Sequence, residues 1–316
     1  MTRTRLLPAG LLGLAVLAAC GVPGSSAIPD GGAGRQAVAH APSLASLPRQ
    51  PGAVTIGSAD FPEDEILAYL YADAMRARGV TVTIHADIGE RPAYIAALSD
   101  GSIGAVPEYS GSILDYLDPS ASAKAPAAVY GSLQGVAAAQ GFAVTSYAAA
   151  QDSDTITVTE ATAAKYHLTT IASLKNVADG LSLGAPEPFL TVPYGIPALK
   201  SVYGVVFQRF VPLSAGGTIT QTALRDGTIG AADIFSTDPS IDTDRFVSLT
   251  DTGHIFAAQN VVPLFRLGVL TQPMAQACNA VSARLTTAAL RKLDGEVANG
   301  TSPATAAAQW LASAGL

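Results

Sequence analysis

Ala97-Leu98-Ser99-Asp100-Gly101-Ser102-Ile103-Gly104-Ala105 returns 126 residues later as Ala223-Leu224-Arg225-Asp226-Gly227-Thr228-Ile229-Gly230-Ala231, with seven of nine positions identical. Each copy reads as the end of a helix, an Asp-Gly turn and a short buried strand. A period of ~20–50 residues would mark a solenoid. An offset this long marks a duplicated, quasi-symmetric domain instead. The match continues more weakly on both sides. Val54-Thr55-Ile56-Gly57-Ser58 leads into a loop carrying Phe61, and Leu181-Ser182-Leu183-Gly184-Ala185 leads into one carrying Phe189. Beyond the strong copies, Tyr109-Ser110 corresponds to Phe235-Ser236 at the same offset. Each half therefore offers one aromatic residue after its first strand and another after its third.

The surrounding pattern alternates. Strands are predicted near 54–57, 81–86 and 103–106 with helices near 63–78 and 91–99. Further strands near 155–158, 181–184, 207–211 and 230–233 alternate with helices near 160–166, 195–203 and 218–225. An apolar strand over 261–266 and helices over 273–298 and 303–313 follow. Such alternation predicts an α/β fold with two mostly parallel sheets, whose ligands sit beyond the carboxyl ends of the strands. The expected division is a first lobe of residues 51–149 plus 255–316 and a second of residues 150–254. Two crossover strands near 148–154 and 249–259 would join them around a central cleft.

Composition excludes several classes. The chain has 316 residues, 14% of them charged and 49% apolar, against a usual charged share of about 25%. A disordered chain is excluded. A net charge of -7 without any basic stripe argues against nucleic acid as partner. Two cysteines and four scattered histidines (His40, His85, His167, His254) give no metal-ligand spacing. No metal and no cofactor are expected. A secreted hydrolase lacks support, because no Gly-x-Ser-x-Gly elbow occurs and the histidines have no recognisable serine partner.

The N-terminus reads as an address. Arg3 and Arg5 precede an apolar run from Leu6 to Ala19 and then Cys20, the pattern of a secretory signal peptide over residues 1–19. Leu17-Ala18-Ala19-Cys20 resembles a bacterial lipobox, in which Cys20 carries lipid and becomes the new N-terminus; a plain cleaved signal is the alternative. Removing residues 1–19 leaves 16 basic and 25 acidic residues. Cys278 then has no partner and reads as a small buried hydrophobe. Residues 20–50, rich in Gly, Pro, Ser and Ala, read as a flexible tether.

Three segments carry a family resemblance: Ile56-Gly57-Ser58-Ala59-Asp60-Phe61, Pro107-Glu108-Tyr109-Ser110-Gly111-Ser112 and Phe235-Ser236-Thr237-Asp238. Together with Ala150 to Asp154, Ala198 to Gly204 and Ala258 to Pro263, they resemble the substrate-binding proteins of ABC importers for osmoprotectants such as glycine betaine and choline. The likeness spans about residues 52–316. It implies a two-lobed type II periplasmic-binding-protein fold and an extracytoplasmic, lipid-anchored location. It also implies a small-molecule ligand and a membrane ABC permease as partners of a monomer. The chain departs from the family pattern in having Ala59 where a lysine is frequent, Phe235 where tyrosine is common, and Leu190 in place of another ring.

A quaternary ammonium group has no N–H to donate, so aromatic faces must hold it by cation–π attraction, worth roughly 0.5–2 kcal/mol per ring. Tyr109 and Phe235, from opposite lobes, are the leading pair; Phe61 and Phe189 make a second. Core packing remains open for Phe189 and Phe235, and a hydrophobic staple for Phe61. Asp60, Gln151, Asp152 and Asn260 sit on loops or crossovers near the predicted cleft, and Ser112 and Thr237 follow the aromatics with hydroxyls to donate. Arg91 opens a helix near the mouth, where a surface role and contact with a ligand anion both stand open. Trp310 reads as core. Two other functions fit the same sequence: the same transport role with a neutral aromatic or polyhydroxylated cargo, and a sensor or adhesion lipoprotein without transport.

Overall fold

The two Asp-Gly copies fold alike because they solve one packing problem twice. Gly101 and Gly227 take φ of 89° and 74°, the left-handed region in which a side chain is strained. The N–H of Ile103 turns back to the carbonyl of Ala97 and that of Ile229 to Ala223, both at 3.1 Å. Each isoleucine then drops onto a glycine of the neighbouring strand. A Cβ on Gly57 would stand 2.7 Å from Ile103 Cδ1, and one on Gly184 would stand 2.6 Å from Ile229 Cδ1. The next residue ties the same strands, with Gly104 donating to Thr55 O at 2.7 Å and Gly230 to Ser182 O at 3.0 Å.

The computed structural model describes residues 43–316. Chain order begins β1 (Ala53–Gly57), α1 (Pro62–Arg76), β2 (Thr81–His85), α2 (Arg91–Asp100), β3 (Ala105–Tyr109), α3 (Ser110–Leu117), α4 (Pro126–Ala139) and β4 (Phe142–Val144). The second lobe comprises β5 (Asp154–Thr159), α5 (Glu160–Tyr166), β6 (Ser182–Ala185), α6 (Ile196–Tyr203), β7 (Arg209–Pro212), α7 (Gly217–Arg225), β8 (Ala231–Phe235), α8 (Ser240–Thr243) and β9 (Phe246–Ser248). The chain then returns through β10 (Val261–Arg266), α9 (Gln272–Ser282), α10 (Thr287–Ala298) and α11 (Pro303–Ala314).

The sheets run β2-β1-β3-β10-β4 and β7-β6-β8-β5-β9. β10 thus holds in the first sheet the place that β5 holds in the second. Both sheets are mixed, which corrects the expectation of mostly parallel ones. β1 pairs parallel with β2 and β3, and β6 with β7 and β8, whereas β10 and β5 are antiparallel to both neighbours. The reason lies in the crossovers. β3 and β8 end at the cleft, while β5 and β10 start there, having just left the other lobe, and must run outward. The crossovers themselves meet in an antiparallel bridge between Gln151 and Asn260.

Apolar layers cover both faces of the first sheet. Tyr71, Met75, Phe265, Met274 and Leu290 lie on one side, and Leu98, Ile103, Ile113 and Leu133 on the other. Trp310 packs against the first of these layers, and Cys278 is buried within it as a free thiol. The expected signal peptide, Cys20 and most of the expected tether lie outside the described residues. The tether's last residues are not free: Leu44–Ser46 form a 3-10 turn, Leu47 packs on the first core, and Pro48 O accepts the Gln272 N–H at 2.8 Å. Among the described residues no helix is long and apolar enough to cross a membrane.

Candidate functional site

β3 delivers Tyr109, and β8 delivers Phe235, at the ends where the strands meet the crossovers. The serine after each ring grips the crossover that leaves the opposite lobe. Ser110 donates its hydroxyl to Ala258 O at 3.0 Å and its N–H to Asn260 O at 2.9 Å, while Ser110 Oγ accepts the Asn260 N–H at 3.0 Å. Ser236 donates its hydroxyl to Gln151 O at 2.8 Å and its N–H to Ser153 O at 2.9 Å, while its Oγ accepts the Ser153 N–H at 3.0 Å. The two clamps are the same motif, and they make Gln259 the counterpart of Asp152.

Between the clamps lies a cavity of about 450 Å³. Six of the residues singled out from sequence line it: Phe61, Arg91, Tyr109, Ser112, Asp152 and Phe235. Tyr109 is buried, donates its hydroxyl to the Glu63 carboxylate, and stacks on Phe61 with centroids 6.3 Å apart. Phe235 is 39% exposed, so the core reading of this residue fails.

The remaining candidates fall elsewhere. Asp60 is exposed and does not line the cavity. Gln151 Oε1 accepts the Gln259 N–H at 3.2 Å, joining the crossovers, and its residue borders a separate cavity of about 320 Å³. Thr237 is buried and donates to Asp152 Oδ1 at 2.8 Å, so it holds a cavity residue without lining the cavity. Asn260 is 3% exposed and donates to Ala148 O at 2.8 Å within the joint. Phe189 is 3% exposed, because the 3-10 turn Glu187–Leu190 folds its ring inward. It packs behind Tyr194 and Phe256, at 6.5 and 6.2 Å. The expected pairing of Phe61 with Phe189 gives way to Phe61 on Tyr109.

Tyr194, Phe256, Asp154 and Gln259 also line the cavity and were not foreseen. Asp154, Phe256 and Gln259 had a signal in their places on the predicted crossovers, whereas nothing in the sequence singled out Tyr194. Tyr194 follows a proline-rich turn whose path the sequence does not fix, and Phe256 follows the left-handed His254. Arg91 lines the cavity, but its guanidinium is spent on Glu108, with Nε to Oε1 at 2.9 Å and Nη2 to Oε2 at 3.1 Å.

Acids crowd the walls. Burial, and then the Glu63 charge, push the Asp152 carboxyl up to about 7. Burial and the adjacent Glu63 carboxyl push Asp294 up to about 10. Asp233 is raised to about 8 by burial and by Asp154. Burial likewise raises the Tyr109 phenol, with Glu63 adding to it. A ring of aromatic faces backed by acids starved of counter-charge attracts a compact organic cation. No group of three or more His, Cys, Asp or Glu suited to a metal occurs among the described residues.

Residues 52–313 match a protein family described as the substrate binding domain of ABC-type glycine betaine transport systems. Among solved structures, the chain is similar to a glycine betaine/carnitine/choline ABC transporter protein, with a TM-score of 0.77 and 22% identity over 82% of this chain and 98% of that one. Apo YehZ from Escherichia coli gives a TM-score of 0.73 at 22% identity, over 82% and 98% of the two chains. A lactococcal OpuAC, solved closed around glycine betaine, gives 0.50 at 14% identity, over 83% and 96%. The two closer likenesses carry the two-lobed fold.

Proposed function

Because the chain belongs to the family of substrate-binding domains of ABC-type glycine betaine transport systems, we propose that its cavity captures a small quaternary ammonium solute such as choline or glycine betaine. The protein is the extracytoplasmic solute-binding component of an ABC importer, and its cargo passes to a membrane permease. One observation carries the reading of the site: Phe61 and Tyr109 from one lobe, Tyr194 and Phe235 from the other, and Phe256 from a crossover surround a single cavity. Neither lobe holds enough rings alone, so the cation is gripped only where the two meet. Ligand binding then shifts the balance between open and closed lobes by its preference for the closed one. Asp152 and Asp154 supply the opposite charge that a neutral aromatic or polyhydroxylated cargo would not call for.

Titration calorimetry with choline and glycine betaine tests this. Saturable binding of either is expected, weakened about 2- to 30-fold by Tyr109→Ala on the worth of one ring. Binding of neither, or wild-type affinity in Tyr109→Ala, overturns it. We further propose that the mature protein is a monomer held to the membrane by lipid on Cys20; intact mass of the membrane-extracted protein, with and without Cys20→Ser, checks the anchor.

A further inference from the structure

Helix α10 carries two faces with different duties. Leu290 and Leu293 are buried in the first-lobe core, where α10 packs on α1 and α11. Thr287, Arg291, Asp294 and Gly295 follow at intervals of four, three and one residues, which places them along one side of the helix. That side faces the seam between the lobes. Thr287 Oγ1 accepts the Gln151 N–H of the first crossover at 3.0 Å. Arg291 donates Nε and Nη2 to Ser236 O at 3.1 and 2.9 Å, and Nη1 to Asp242 Oδ1 at 2.7 Å. A Cβ on Gly295 would stand 3.6 Å from Pro239 Cβ.

Arg291 therefore reaches from a helix of the first lobe to the turn that leaves β8, one residue beyond the cavity ring Phe235. The first lobe has no need of the same device. Its equivalent serine, Ser110, opens the eight-residue helix α3, whereas Ser236 precedes only the four-residue α8. Ser236 O is thus left for an outside donor. A guanidinium fork suits a carbonyl and a carboxylate side by side.

We propose that Arg291 is a positioning residue for ligand capture: its bonds to Ser236 O and Asp242 hold Phe235 opposite Phe61 and Tyr109, and they break when the lobes part. This rests on reading the cleft as the binding site. The seam face of α10 is where the preference for lobes together or apart is set, separately from the rings that touch the ligand.

The test is made on the ligand-free protein, so that it stands apart from the identity of the cargo. Small-angle scattering of full-length chain carrying Cys20→Ser is compared with the same chain carrying Arg291→Ala or Arg291→Lys. A larger radius of gyration is expected for Arg291→Ala and an intermediate one for Arg291→Lys, which keeps the charge facing Asp242 but loses the fork. The Gly295–Pro239 approach falls in the range of Cβ separations that a disulfide spans. Oxidised Pro239→Cys/Gly295→Cys is therefore expected to restore the wild-type radius to Arg291→Ala. Choline release, followed by stopped flow, should quicken about tenfold in Arg291→Ala, within the usual span of couplings between sites. A folded Arg291→Ala protein whose radius and release rate equal those of the wild type overturns the proposal. If wild-type protein binds neither choline nor glycine betaine, the proposed cargo fails while the scattering still decides the role of Arg291.

Discussion

At Asp152 a cation and a proton compete for one carboxylate. Its acid is pushed up to about 7, first by burial and then by Glu63, so below that pH the group is mostly neutral. A bound quaternary ammonium favours the charged form, and capture then releases a proton. Affinity for choline should climb as pH rises through about 7 and level off above it, and Asp152→Asn should flatten that slope. Calorimetry in buffers of different ionisation enthalpy measures both. The same shifts oppose folding in alkali. Asp152, Asp233 and Asp294, at about 7, 8 and 10, keep protons that an unfolded chain gives up near about 3.9. Their contribution to stability is full below that value and is lost as pH rises through the folded ones. The ligand-free protein should therefore unfold at lower denaturant at about pH 9 than at about pH 5, and Asp294→Asn should narrow the gap. Residues of this kind were only partly legible. Tyr109 and Phe235 stood out because one repeat offset selects both, whereas Asp154 becomes a wall of the cavity only through the path of its crossover.

Strands and turns were more legible than the ways they pair. The apolar runs and the Asp-Gly turns placed β1, β2, β6 and β8 within a residue or two, because a buried strand must be apolar and a left-handed turn favours glycine. β3 begins at Ala105, two residues later than its apolar run suggested, since Ile103 and Gly104 spend their N–H groups on the turn and on β1. The stretch holding α4 gave no clear signal. Its buried face is Val129, Leu133 and Ala137 amid alanines and glycines that blur the period. The glycine–isoleucine contact supplies a test at this scale. Gly57→Ala sets a methyl against Ile103 and Ile88, and Gly184→Ala sets one against Ile229 and Leu213. Each should cost about 1–3 kcal/mol in denaturant unfolding, as overpacked cores do. Adding Ile103→Val to the first, or Ile229→Val to the second, removes the colliding Cδ1 and should recover part of the loss. Equal behaviour in both lobes is expected, since the two packings repeat.

Across the molecule, the two lobes are joined by a pair of backbone strands that each lobe's serine holds for the other. Ser110→Ala leaves Ala258 O and the Asn260 N–H without partners in a buried place, at a cost of about 1–3 kcal/mol. Ser236→Ala, at a half-buried site, should cost less. Hydrogen exchange should quicken at Asn260 in the first variant and at Ser153 in the second, with the rest of each sheet unchanged. The sequence announced the symmetry but not this exchange of partners, because no spacing along the chain reveals which crossover meets which serine. Both grips fall on main-chain atoms alone, and that has a practical side. The grips themselves survive a change of side chain at positions 152 and 259, but Asp152 also accepts from Thr237 and Gln259 Oε1 from the Ser112 N–H, so a sensor built on this scaffold must replace those two bonds when its cargo is changed.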